Sequence, residues 1–415
     1  MLSKLFSPLK ARSSKKLPET LPEKEFIALF ALMISLSALS VDSMLPAFPH
    51  IAESLAVDDY QKTQWIVSVM IFGMAFGEIL FGPLSDAIGR KKSILIGVGI
   101  YIVGTLIAVF ATSLSVFLVG RFIQGLGVSG PKIASRALIR DLYTGSAMAR
   151  IMSFITMFFI LVPLLAPSIG QLVIEVANWR WIFTLLIVQA LIAALWLIIR
   201  QPETLSISNR TPLNRKRLLI AAKTIVMRRD VMALTLLLGS IFAGMMLYIS
   251  TAQSIFQDVY QTGDKFPLYF AMLAAGIAIV SFSNGKMVQR VGMFRCVLTV
   301  LTVLFIASSS LLICALFYNG VPPFPLFMAL GMVMISCVGM VFGNVNAMAM
   351  EPLGKTAGLG ASIISSLSSL FAIILSVVVG QLYHFTITPF AGGFMVFSMM
   401  ALGMLFISRK SKKIR

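Results

Sequence analysis

The chain is a succession of apolar stretches, each about 20 residues or longer, separated by short polar turns. Hydrocarbon about 30 Å thick is crossed by a helix of about 20 apolar residues, whereas a barrel strand needs only about ten. Runs of this length are therefore helices, the form that bonds all its own backbone groups in lipid. We read twelve spans: 26-48, 62-84, 92-112, 115-137, 148-174 and 180-199, then 230-256, 267-289, 293-317, 325-349, 357-381 and 388-407. The composition agrees, with 58% hydrophobic and 12% charged residues where a soluble domain carries about 25% charged. Twelve helices of about 21 residues use roughly 250 positions, which leaves little of the 415 residues for an extramembrane domain.

The net charge of +18 would suggest nucleic acid in a soluble chain, so its placement matters. Lys and Arg collect on the cytoplasmic side of spans. If both termini are cytoplasmic, 29 of the 34 cations fall in the tails and inner loops. Lys62, Arg180 and Lys265 fall outside, and Arg121 and Lys132 lie within span 4. The charge is a topology signal, and it gives no reason to expect a nucleic-acid partner. Segment 1-25 reads as a basic cytoplasmic tail, too polar and too long for a cleaved signal peptide; 408-415 is its C-terminal counterpart. Cys296, Cys314 and Cys337 all sit in apolar runs and offer neither a disulfide framework nor metal spacing.

The polar segment 200-229 divides the spans into bundles 26-199 and 230-407. A shift of 203 residues lays Gly82, Asp86 and Gly89 on Gly285, Gln289 and Gly292. We read this as a duplication, the plan of transporters with a midplane site between two six-helix halves.

Charges inside hydrocarbon cost several kcal/mol and mark functional positions. Four are present: Asp42, Glu78, Arg121 and Lys132. Asp42 precedes Pro46 and Pro49, which invite unwinding beside the carboxylate. It reads as a proton-exchanging group or as half of a static pair. Arg121 falls at a similar depth, where pairing would lower the cost of burying both. Lys132, eleven residues on, lies about 20° round the helix and roughly 16 Å deeper; it lines a central cavity or snorkels inward. Glu78 follows Gly73 and Gly77, a spacing for close helix contact, and reads as a second proton site or a bonded interface residue. Tyr248, Gln253 and Asn346 are neutral cavity candidates in the second half.

Gly354-Lys355-Thr356 looks like the end of a phosphate loop, but Ala349 stands where its first glycine belongs. His50 and His384 sit at span ends. No nucleophile, base and orienting acid stand together, so the chain reads as a non-enzyme without metal or cofactor.

Several segments resemble a known family. Gly82-Pro83-Leu84-Ser85-Asp86-Ala87-Ile88-Gly89-Arg90-Lys91-Lys92 is similar to the signature loop after span 2 of the major facilitator superfamily. Arg121-Phe122-Ile123-Gln124-Gly125-Leu126-Gly127 and Leu165-Ala166-Pro167-Ser168-Ile169-Gly170-Gln171 resemble motifs of its drug:proton antiporters. The stretches 42-49, 140-143 and 346-349 resemble the bicyclomycin-resistance-type branch. The resemblance implies an all-α, twelve-helix membrane fold in two pseudo-symmetric six-helix bundles. It also implies a proton-coupled antiporter in the bacterial inner membrane, monomeric, that exports small amphipathic molecules by alternating access. Asp42 and Arg121 would be the proton-linked pair, and Asp86, Arg90 and Asp141, with Gly82 and Gly89, a cytoplasmic latch. Pro167 and Gly170 would bend span 5 and seal it against span 8. Ala166 and Gln171 replace usual glycines, Glu78 a neutral residue, and Lys132 a small one. The last two put a cationic or neutral substrate in question, and the cations Arg121 and Lys132 raise the alternative of a dedicated exporter of an anionic metabolite such as a carboxylate siderophore; a channel or an importer is further off.

Overall fold

A computed structural model describes residues 21–57, 60–143, 151, 162–163 and 165–413. Most of the N-terminal tail, and most of span 5, lie outside the described residues.

Every regular element among the described residues is helical. The first half contains α1 (Glu23–Asp42), α2 (Phe48–Ser54), α3 (Gln64–Ile88), α4 (Arg90–Val109), α5 (Leu114–Leu142), α6 (Leu165–Val176) and α7 (Arg180–Arg200). A linker with the short amphipathic helix α8 (Arg215–Val226) follows. The second half contains α9 (Arg229–Ser254), α10 (Phe266–Val291), α11 (Met293–Phe317), α12 (Phe324–Met350), α13 (Ala357–Gly380) and α14 (Thr388–Lys413). Nine helices of the described residues are long and apolar enough to cross a membrane. Helices α5, of 29 residues, and α10, of 26, cover the expected spans 4 and 8, and α6 is the described part of span 5.

Burial separates central helices from peripheral ones. In their most apolar windows, 78% of residues are buried in both α1–α2 and α9, against 33% in α7. Helix α7 turns Trp181, Leu185, Val188, Ile192, Leu195 and Ile199 outward at helical spacing. That stripe faces lipid, while α1 and α9 run through the interior.

Within the first half, glycines set the helix separation. A Cβ on Gly73 would lie 2.1 Å from the Phe122 carbonyl oxygen, and one on Gly125 would lie 2.0 Å from that of Met70, so α3 and α5 touch backbone to backbone. The two halves meet along α3 and α13. Gln64 approaches Gly380 at one end, Ser366 Oγ donates to the Ala75 carbonyl at 2.7 Å near the middle, and Gly82 faces Ser362 toward the other end.

The repeat has a backbone signature. Gly89 separates α3 from α4 at φ 110°, ψ 157°, and Gly292 separates α10 from α11 at φ 80°, ψ 155°. Residues with side chains rarely adopt this region, so both glycines are dictated by the same turn in each half.

Candidate functional site

Span 1 breaks where its prolines stand. Helix α1 ends at Asp42, a 3-10 turn covers Leu45–Ala47, and α2 begins at Phe48. A helix end leaves carbonyls without intrahelical partners. That of Ser40 is taken by Arg121 Nη2 at 2.9 Å, across 81 residues of sequence.

Arg121 is fully buried, and its whole fork is engaged. Nε donates to the Ile66 carbonyl at 3.4 Å and Nη1 to Gln124 Oε1. Gln124 Nε2 donates to Thr105 Oγ1 at 2.9 Å, and Thr105 Oγ1 to the Tyr101 carbonyl at 2.7 Å. The Tyr101 hydroxyl and Ser40 Oγ share a bond of 2.6 Å, which closes the ring back on α1. Phe183 packs 5.8 Å from the guanidinium carbon, a cation–π contact on the dry side. The first half thus holds one permanent cation by neutral acceptors on α1, α3 and α5.

The direct pairing expected between Arg121 and Asp42 is not the arrangement observed, because carbonyls and Gln124 already occupy the guanidinium. Asp42 is 4% exposed, and its Oδ1 has no hydrogen-bond partner among the described residues. It lies in electrostatic reach of Tyr248 on α9, so the carboxylate sits where the broken helix of one half meets the other. The Tyr248 ring stacks on Phe270 with centroids 5.1 Å apart, and its hydroxyl donates to the Phe270 carbonyl at 3.4 Å. Gln253 is buried, with Oε1 lacking a hydrogen-bond partner among the described residues; Asn346 is exposed.

Lys132 and Glu78 find each other. Nζ donates to Glu78 Oε1 at 2.5 Å, with side-chain exposures of 18% and 1%. Lys132 therefore turns toward α3 and is paired with Glu78. A carboxylate and an ammonium on separate helices lower each other's cost of leaving water. Their partnership across 54 residues has no signature in sequence.

At the α3–α4 turn, Arg90 Nε donates to Asp141 Oδ2 at 2.9 Å and Nη1 to Ser85 Oγ at 2.8 Å, and Nη1 also bonds Asp86. These residues come from the end of α3, the start of α4 and the end of α5. Gly82 lies one turn above Asp86 on α3. Pro167 is buried, and a Cβ on Gly170 would stand 1.7 Å from the Ser43 carbonyl oxygen. The described close approach of span 5 is therefore to the break in span 1, where the resemblance had implied span 8. In the second half the matching inner cluster is neutral: Asn344 Nδ2 donates to Asn284 Oδ1 at 2.8 Å, beside Cys296 Sγ at 3.6 Å. Sequence reading missed this group; two asparagines and a cysteine in apolar runs on three helices were its signal.

Long apolar helices in both halves, a glycine-hinged loop in each and buried polar groups between the helices define a membrane protein of the two-bundle transporter class. The sequence profile of the Major Facilitator Superfamily matches residues 30–376, and the chain belongs to that family. It is 30% identical over 403 residues to the bicyclomycin resistance protein homolog of Haemophilus influenzae, covering 94% of this chain and 98% of that protein. It is 27% identical over 265 residues to multidrug resistance protein MdtL of Salmonella heidelberg, 63% of this chain and 66% of that protein. Among solved structures, the human organic anion transporter MFSD10 superposes with a TM-score of 0.72 at 19% identity, over 94% of this chain and all of that one. The partially occluded inward-open xylose transporter XylE of E. coli gives 0.70 at 14%, over 94% and 97%. These two likenesses concern the fold.

Proposed function

We propose that the protein is a proton-coupled antiporter of the bacterial inner membrane that exports small amphipathic molecules by alternating access, with both termini cytoplasmic and the monomer as the working unit. The observation that carries this is Asp42, a buried carboxylate at the break in span 1 with one oxygen lacking a hydrogen-bond partner among the described residues. The likeness to bicyclomycin- and multidrug-resistance proteins supports efflux as the direction.

In this reading bundles 26-199 and 230-407 rock about a shared site. Asp42 carries the proton, and Arg121 fixes the backbone that bears it. Glu78 serves as a second carboxylate coupled through Lys132. Tyr248, Gln253 and Asn346 face the substrate from the second half. Arg90, Asp86 and Asp141 latch the inner side, and Pro167 and Gly170 close the outer side. One proton falling through 100 mV supplies about 2.3 kcal/mol, enough for roughly a fifty-fold substrate gradient. The dedicated exporter of an anionic metabolite is not favoured, because, of the two cations that motivated it, Lys132 is matched by Glu78 and Arg121 is engaged by Ser40, Ile66 and Gln124.

The test is substrate accumulation in proteoliposomes with and without an imposed pH gradient, using cationic, neutral and anionic compounds. Asp42→Asn holds the site in the form of a protonated carboxyl. It is expected to insert normally and to lose all gradient-driven efflux; undiminished efflux from that variant overturns the assignment.

A further inference from the structure

The polar stretch between the halves is docked, and it is docked on the signature loop. Glu203 directs both carboxylate oxygens at the start of α4: the Arg90 N–H donates to Oε1 at 2.9 Å and the Lys91 N–H to Oε2 at 3.2 Å. Oε1 also accepts from the backbone N–H groups of Thr204 and Leu205 at 3.0 and 3.1 Å. The Thr211 N–H donates to the Asp86 carbonyl at 3.0 Å, and Thr204 Oγ1 to Asp141 Oδ2 at 3.4 Å. The strap therefore touches three members of the Arg90 cluster.

Helix α4 needs such a partner. The first N–H groups of a helix have no acceptor of their own, and its N-cap, Gly89, has no side chain to supply one. Arg90, Lys91 and Lys92 then place three cations at the positive end of the helix dipole, where an anion is favoured. Glu203 supplies both the acceptor and the negative charge. Gly89 makes room for it, since a Cβ there would lie 2.3 Å from Glu203 Oε2.

The internal repeat provides a control within the same chain. Gly292 adopts the backbone of Gly89 and caps α11 in the same way. At a shift of 203, however, Met293 replaces Arg90, Gln289 replaces Asp86 and Asn344 replaces Asp141. A Cβ on Gly292 would meet nothing within 4 Å. Among the described residues, the turn is thus built without a strap where the charged cluster is absent.

We infer that Glu203 is a positioning residue for the latch. By capping α4 it holds the 89–91 turn in the conformation from which Arg90 reaches Asp86 and Asp141, so the linker that joins the halves docks and undocks with the latch. The inference rests on the reading that the latch works during transport.

A double-mutant cycle tests it. Glu203→Ala, Glu203→Gln and Arg90→Ala, with the combination of Glu203→Ala and Arg90→Ala, are compared for efflux rate, apparent substrate affinity, inserted amount and thermal midpoint in detergent. Glu203→Ala is expected to lower the maximal efflux rate about tenfold, the order set by a lost pair of charge-assisted hydrogen bonds, with unchanged affinity. Glu203→Gln, which keeps one acceptor, falls between. In the Arg90→Ala background, Glu203→Ala adds little to the loss of rate or to the shift in midpoint; the midpoint stays readable where efflux is too low. Equal effects in both backgrounds overturn the inference, because they describe a cap that acts independently of Arg90. Full efflux from Arg90→Ala overturns the latch itself, whereas an impaired Arg90→Ala beside an unimpaired Glu203→Ala removes only the role of Glu203.

Discussion

Arg121 Nη2 reaches the carbonyl of Ser40 at 2.9 Å, two residues before α1 ends at Asp42. A cation on span 4 therefore holds the end of span 1 by its backbone, and the carboxylate beyond that point is left free of the guanidinium. The charges of the site are related by geometry more than by an ion pair: Arg121 holds the backbone beside Asp42, and Asp42 keeps an oxygen without a hydrogen-bond partner among the described residues.

Replacing Arg121 by Lys keeps the charge and loses the fork. Three acceptors on three helices cannot be met by one ammonium on a flexible stem. We expect Arg121→Lys to lose gradient-driven efflux and to lower stability by about 2 kcal/mol, the scale of one stranded buried acceptor. Thermal midpoints in detergent beside transport assays check this; a variant with normal efflux contradicts it.

Lys132→Met leaves the Glu78 carboxylate, 1% exposed, without its ammonium. Breaking a buried pair from one side costs about 3–5 kcal/mol, whereas replacing both partners is often close to neutral. Lys132→Met alone should therefore insert poorly, and Lys132→Met with Glu78→Met should recover most of the folded amount. Quantifying folded protein by size-exclusion chromatography distinguishes the two.

Gly170 and Gly82 predict a graded pair. A methyl group on Gly170 would stand 1.7 Å from the Ser43 backbone oxygen, which cannot move without displacing the break in span 1. A methyl group on Gly82 would stand 2.5 Å from Ser362 Oγ, which can turn about its own bond. Gly170→Ala should abolish transport, and Gly82→Ala should reduce it only in part. Adding Ser362→Ala to Gly82→Ala should restore the rate, which flux measurements on the three variants decide.

Glu25 at the start of α1 clasps Arg200 at the end of α7, with Arg200 Nε to Glu25 Oε1 at 2.7 Å and Nη2 to Oε2 at 2.9 Å. The pair lies at the surface, where water and salt screen it. Glu25→Gln should leave efflux unchanged and shift the thermal midpoint only slightly, so a large loss of transport would show that the clasp moves in the cycle.

The sequence by itself determined the class of fold. Hydropathy and span length are local quantities, so the helical spans among the described residues and the membrane setting were legible without a structure. The break after Asp42 was legible too, because Pro46 and Pro49 act on their own backbone. The repeat could be seen in Gly89 and Gly292, since a positive φ binds residue type to conformation. What only the tertiary structure decided is which polar groups meet across helices. Lys132 to Glu78, Arg121 to Ser40 and Glu203 to the α4 start join residues 54, 81 and about 113 positions apart. Such pairs depend on helix rotation and depth, which close-packed glycine contacts set to within an ångström and which no local pattern encodes. In lipid the consequence is sharp, because a charge shifted by one residue in register loses its partner and has no water to replace it.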